Sequence, residues 1–204
     1  MNPRSFIIIT SILMLLGRIA DVLVTYHFSP TLSMEGNPLT LFLGAGWEIL
    51  LAVNLLAVAA IAWCSYSWCA KPIEYATSPE VRDIWTFASF ACYDRVYSRR
   101  DFIWRRLLCP PKHKAHNMHL VGAVMPVTVA IVSVLAVLSW HALYGLHLEG
   151  YSHFYKLLFP FFPYALMIPT IWIAAAYFYR HEYQRYLAHC ESAKGSVNVI
   201  GAVA

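Results

Sequence analysis

The stretch that decides the fold is FIIITSILMLLGRIADVLVTYHF, residues 6–28. It is apolar over nearly its whole length, and about 20 such residues are enough to cross a bilayer as a helix. Further stretches of this kind occupy residues 39–69, 119–145 and 157–180. Only 13% of the 204 residues are charged, roughly half the share found in soluble domains. The sequence therefore predicts an all-α, polytopic membrane protein with four transmembrane helices in one domain, residues 1–190.

Positive charge predicts the orientation of these helices. The segment 71–118 holds nine of the fifteen lysines and arginines: Lys71, Arg82, Arg95, Arg99, Arg100, Arg105, Arg106, Lys112 and Lys114. Loops rich in Lys and Arg stay on the cytoplasmic side of a membrane. We therefore expect this loop to be cytoplasmic, and with four spans both termini lie on the same side. The tail 191–204 is expected to be mobile.

The basic loop has a pattern of its own. Residues 80–108 contain no proline and no glycine, and aromatic residues recur among the charges. A basic helix with embedded aromatics is typical of the membrane–water interface, and anionic lipid head groups attract it. We therefore predict an amphipathic interfacial helix between the second and third spans. The residues expected to face lipid are Arg95, Arg99, Arg100, Arg105 and Arg106. Nucleic acid is not expected as a partner, because no nucleic-acid-binding motif accompanies the charge.

Charged residues inside the apolar stretches form the main candidate site. Arg18 and Asp21 are three residues apart and share a helix face with Thr25. Arg18 lies ten residues from Phe28, and Glu48 lies nine residues after position 39, so both are predicted about 15 Å deep. Buried charges find partners, which predicts a cluster of Arg18, Asp21, Thr25 and Glu48. Two interpretations stay open: an ion pair that fixes the first two helices together, or a site for an ion or substrate.

The connection between the first two helices carries the most distinctive motif. Asp21 and Thr25-Tyr26 form D-x3-T-Y, and Glu35, Asn37 and Pro38 form E-x-N-P. This pattern resembles an uncharacterised family of small bacterial integral membrane proteins, over residues 18–56. The resemblance implies a helical protein of the bacterial inner membrane, but it implies no activity.

Histidines give a second set of candidate ligands. Four lie near the predicted outer face: His27, His141, His147 and His153. Imidazole binds zinc, copper and iron, although these spacings match no known metal motif. Two of these histidines could also pair with two at the cytoplasmic ends as layers of haem ligands: His27 and His141 with His119 and His181. No cofactor is predicted from these patterns; metal and haem remain alternatives.

The sequence favours a protein that is not an enzyme. It contains no G-x-S-x-G, no H-E-x-x-H, no phosphate-binding loop and no dinucleotide fingerprint. We expect a structural or accessory subunit that binds another membrane protein or lipid, with a second copy or a membrane protein as its partner. The alternative is a small transporter, channel or membrane enzyme with a polar site around Asp21, Glu35 and Glu48.

Overall fold

The computed structural model describes residues 3–32, 40, 43–146 and 162–201. All regular structure in these residues is helical, which confirms the predicted all-α class. The helices are α1 (Pro3–Phe28), α2 (Trp47–Ala70), α3 (Ile84–Tyr93), α4 (Arg99–Leu108), α5 (Lys114–Trp140) and α6 (Phe162–Gly201). A π-helical turn, His141–Gly145, continues α5.

Three of these helices are long and apolar enough to cross a membrane: Arg4–Phe28 in α1, Trp47–Ala70 in α2, and Lys114–Gly145, which joins α5 to its π turn. This supports the prediction of a membrane protein. Helix α5 is at the centre of the bundle, because α1, α2 and α6 each pack against it. Large aliphatic side chains cover the outer faces of α1 and α2, as suits helices surrounded by lipid.

Two helix boundaries differ from the sequence prediction. Helix α2 begins at Trp47 rather than at residue 39, because Gly44 has φ +62° and Gly46 is extended. Glycine is a poor helix former, and a positive φ is incompatible with a continuing helix. At the other end of the chain, α6 runs without a break through Pro169 to Gly201. Most of the tail predicted to be mobile is therefore helical in this structure.

The crossing of α2 and α5 depends on three residues. Pro126 has no N–H, so it leaves the carbonyl of Gly122, four residues earlier, without its usual helical donor. The Ser65 hydroxyl of α2 lies 2.8 Å from that carbonyl and 2.9 Å from the Ile61 carbonyl of its own helix. It has one proton to donate, which we assign to the Gly122 carbonyl because that carbonyl lacks its helical donor. A Cβ on Gly122 would stand 2.4 Å from the backbone of Cys64. The two backbones can therefore approach this closely only because residue 122 is glycine.

The predicted single helix over 80–108 is wrong, because the chain forms two helices there. Asp83 and Thr86 form a capping box that starts α3. Asp94 ends it in the left-handed region, with φ 57°, and the Ser98 side chain caps α4 by accepting from Asp101 N. Asp and Ser are strong capping residues, so the break follows from local hydrogen bonding that the apolar pattern conceals.

The apolar face of α3 packs on protein rather than on lipid. Phe87 and Ala91 are buried against Tyr186 of α6, while Ala88 and Cys92 pack with Phe102 of α4. We call residues 71–113, which include α3 and α4, the cap. The cap folds onto the part of α6 that follows the bundle.

Candidate functional site

The first candidate site is at Arg18, within the bundle. Its NH1 lies 2.6 Å from Oδ2 of Asp21 and 3.5 Å from the Ser133 hydroxyl of α5. Its NH2 donates to Oδ1 of Asn54 on α2. One guanidinium thus connects α1, α2 and α5, and the predicted Arg18–Asp21 pair is present. Thr25 is buried one turn further along α1.

Glu48 is not part of this arrangement. Its side chain is exposed, and it makes no hydrogen bond or ion pair with any residue that the structure describes. The reason is the late start of α2: Glu48 lies in the first helical turn instead of nine residues deep. A carboxylate is favourable there, near the positive end of the helix dipole. Asn54, six residues further into the helix, takes the position expected of Glu48.

A crevice of about 210 Å³ adjoins Arg18 and Asn54. Its other lining residues are mostly aliphatic or methionine side chains and come from α2, α5 and α6, among them Ala57, Ile61 and Met167. Arg18 therefore has a salt bridge on one side and a mostly apolar space on the other.

The second candidate site surrounds Glu182 on α6, whose side chain is 0% exposed. Trp68 Nε1 donates to Oε1 over 3.0 Å, and Arg185 NH1 donates to the same atom over 2.9 Å. His181 Nδ1 is further from it, at 3.5 Å. The Tyr75 hydroxyl donates to the other oxygen, Oε2, over 3.3 Å. A buried carboxylate is stable only with such partners, and these come from α2, the cap and α6.

The hydrogen bonds around Tyr75 determine the tautomer of His116. The Tyr75 hydroxyl is also 2.9 Å from His116 Nδ1, but it has one proton to donate. Oε2 of Glu182 has no other donor among the described residues, so we assign the Tyr75 proton to Glu182 and the Nδ1 proton to His116. Nε2 of His116 is then a buried acceptor, and it has no partner in the described part of the chain. Nδ1 of His119, one turn along α5, is likewise buried and unpartnered there.

The electrostatics of this cluster keep Glu182 ionised. Burial raises the pKa of the carboxyl, but the nearby His181 ring, the hydrogen bond from Trp68 and the charge of Arg185 outweigh it and lower the pKa to about 2. The pKa of Tyr75 is raised, first by burial and then by the neighbouring carboxylate. The cluster therefore joins the cap to the bundle through a charged, hydrogen-bonded contact.

Two tyrosines of α6 strengthen the attachment of the cap. The Tyr186 hydroxyl accepts from Ser78 N over 2.9 Å and lies 3.2 Å from Ser78 O. Tyr183 donates to the carbonyl of Arg82 over 3.0 Å. Sequence reasoning missed this site, although two signals were present: His116 and His119 at i,i+3 spacing, and Glu182 with Arg185 at the same spacing.

The histidine hypotheses receive no support in the described residues, which contain no group of three or more His, Cys, Asp or Glu placed to hold a metal. His27 and His141 are both exposed. Each ring packs edge-to-face with the Phe28 ring, at a centroid distance of 4.9 Å for His27 and 5.6 Å for His141. His119 and His181 lie instead beside the Glu182 cluster. The remaining candidates fall outside the described residues: Glu35, Asn37, Pro38, His147 and His153.

The five arginines of the cap that were predicted to face lipid divide into two groups. Arg106 is turned inward and donates to Asn117 of α5 over 2.7 Å. The exposed group is Arg95, Arg99, Arg100 and Arg105, two of which stack on aromatic rings. The Arg99 guanidinium is 4.3 Å from the centre of the Trp85 ring, and that of Arg105 is 4.4 Å from the Tyr97 ring.

In comparisons with known proteins, no family model, curated protein or solved structure matches the chain.

Proposed function

We propose that the chain is a four-span membrane protein that acts as a structural or accessory component, with its cap held against anionic lipid. We also propose that the chain belongs to the bacterial family that its D-x3-T-Y and E-x-N-P pattern resembles. The observation that carries it is the outward face of α4, where Trp104 is 57% and Leu108 77% exposed. Large apolar side chains beside arginines suit the lipid interface better than water.

The position of α4 supports this proposal. Arg106 ties α4 to Asn117 in the first turn of α5, so the helix lies at the end of the bundle. Arg99 and Arg100 flank a shallow groove with Ile103 and Trp104. Guanidinium groups bind phosphate well, and each basic residue near an anionic surface contributes about 1 kcal/mol.

The packing of α6 supports a fourth span. At one end of the bundle Ile7, Trp68, Ala123 and Phe178 form a common core. These residues come from the start of α1, the end of α2, the first half of α5 and the middle of α6. Helix α6 then extends back along the bundle for about 24 Å, from residue 178 to residue 162, at about 1.5 Å per residue. An up-and-down bundle of four helices places both termini and the cap on one side.

Spin labels test the lipid contact. The native cysteines are first replaced by alanine, because exposed Cys109 would otherwise take the label. A nitroxide at Trp104→Cys and a control label at Glu80→Cys, which is exposed in the cap, are then compared in nanodiscs. Oxygen should relax the label at 104 more than a water-soluble nickel complex does, and the reverse should hold at 80. Arg99→Gln with Arg100→Gln should weaken the lipid exposure at 104 in anionic nanodiscs only. Equal water exposure at both sites would contradict the proposal.

Cysteine labelling in intact cells tests the orientation. Native Cys109 is exposed in the structure and should not react with a membrane-impermeant maleimide until the membrane is permeabilised. A cysteine introduced at Gly150 should react at once. Reaction of Cys109 in sealed cells would reverse the assignment of sides.

A small-molecule site is the second candidate function, since the Arg18 crevice favours it. We propose the Arg18 crevice in place of the polar site that the sequence predicts around Asp21, Glu35 and Glu48, because Glu48 is exposed at the start of α2.

A further inference from the structure

The crevice at Arg18 combines a polar end with an apolar body. Arg18 and Asn54 form the polar end, and Ile61, Met125 and Met167 contribute to the rest. Ala57 at its rim is exposed, so the crevice opens on the outer face of α2, where lipid chains would lie. Its volume is about 210 Å³. It is smaller than a drug-sized pocket.

Arg18 has hydrogen-bond donors to spare at this crevice. A guanidinium carries five N–H groups, and the contacts with Asp21, Ser133 and Asn54 use three of them among the described residues. The side chain is 21% exposed. Donors left over inside a bilayer are costly, since lipid chains offer no acceptor. An acceptor from a ligand would therefore be stabilised at this position.

The charge balance selects the kind of acceptor. Asp21 already neutralises Arg18 at 2.6 Å, so an anionic ligand would leave a net charge in a medium of low dielectric constant. An uncharged carbonyl oxygen meets the spare donors without that cost. The carbonyls of a partner helix are already bonded within that helix, and lipid ester carbonyls lie near the surface. Arg18 is ten residues, or about 15 Å, from the end of α1 at Phe28.

We propose that the Arg18 crevice binds an uncharged, membrane-dissolved carbonyl compound whose oxygen accepts hydrogen bonds from the Arg18 guanidinium. The apolar part of the ligand lies along Ile61, Met125 and Met167. This inference requires the bundle to stand in a bilayer, but it does not depend on the contact between α4 and lipid.

Photolabelling tests this site with defined probes. The protein is placed in nanodiscs of ether-linked phosphatidylcholine, which has no ester carbonyl, and labelled with benzophenone, a lipophilic ketone that reacts readily with methionine. Peptides containing Met125 or Met167 should carry the label. The competitors are 1-tetralone and tetralin, which share a ring skeleton and differ in the carbonyl. The ketone should compete at a concentration at least about tenfold lower, as expected for a hydrogen bond to a charged group.

Two sets of variants make the test specific. Arg18→Met combined with Asp21→Leu removes the donor without stranding a charge, and should abolish the advantage of 1-tetralone over tetralin. Ala57→Phe fills the mouth of the crevice and should prevent labelling of Met125 and Met167. Ala59→Phe, at an exposed position two residues along the same helix, is the matched control and should label like the wild type.

Three results would overturn the proposal. Equal competition by the two compounds would mean that no hydrogen bond is made. Unchanged labelling in Ala57→Phe would place the probe elsewhere. Oxidative disulfide cross-linking between two copies that carry Ala57→Cys, absent from the wild type, would show that a second copy covers the crevice.

Discussion

Replacing Gly122 by alanine tests the close crossing of α2 and α5. The added Cβ would be 2.4 Å from the carbonyl carbon and oxygen of Cys64 and 2.5 Å from Ser65 N. All three are backbone atoms, so no side chain can turn away. Ordinary contact begins at 3.4 Å, so the helices must separate by about 1 Å. That shift also stretches the 2.8 Å bond from Ser65 to the Gly122 carbonyl beyond hydrogen-bonding distance.

The expected cost combines these two losses. Overpacking costs about 1–3 kcal/mol, and an unsatisfied buried carbonyl about the same. The better helix propensity of alanine returns about 1 kcal/mol. We expect a net loss of about 3 kcal/mol, which for a chain of this size lowers Tm by roughly 6–12 °C. Tryptophan fluorescence during heating in detergent measures it.

Two other glycines serve as controls for this variant. A Cβ on Gly17 would meet the Ser133 side chain at 3.1 Å, and a Cβ on Gly46 would meet no atom within 4 Å. Gly17→Ala should therefore lower Tm less than Gly122→Ala does, and Gly46→Ala should change it by only a degree or two. If Gly122→Ala unfolds within about 2 °C of the wild type, the close backbone contact is not present in the protein.

Three further outcomes follow from the polar clusters. The lowered pKa of Glu182 adds stability that is complete above pH 4.5 and is lost towards pH 2. Acid unfolding should therefore show a loss of about 3 kcal/mol over that range, absent from Glu182→Gln; identical acid profiles would refute it. Glu48→Ala removes only an exposed carboxylate near a helix N-terminus and should lower Tm by no more than about 1–2 °C, whereas Asn54→Leu removes an acceptor from a guanidinium and should cost about 2 kcal/mol; the opposite order would support the cluster of Arg18, Asp21 and Glu48 that the sequence predicts. Tyr75→Phe should loosen the cap and speed proteolysis within 71–83, and an unchanged rate would show that this hydroxyl does not hold the segment.

Much of the helical layout follows directly from the sequence. The apolar runs that became α1, α2 and α5 are visible because a helix in lipid must be apolar along its length. The i,i+3 pair of Arg18 and Asp21 is equally local, since helical geometry alone brings these side chains together. The start of α2 was misplaced because apolar residues continue through 39–46, and hydropathy does not register the backbone of Gly44 and Gly46.

The tertiary structure decided which residues from different helices meet. Helical spacing shows that α3 has an apolar face, but protein and lipid are both apolar, so only the packing against Tyr186 shows which of them covers it. Glu182 lies just beyond an apolar run, where a charge would ordinarily be solvated. It is buried because the cap folds back and Trp68 and Tyr75 supply donors, and those contacts span more than a hundred residues. Sequence periodicity shows which face of each helix must be covered by apolar or hydrogen-bonding groups. Which residues cover that face depends on how the helices pack.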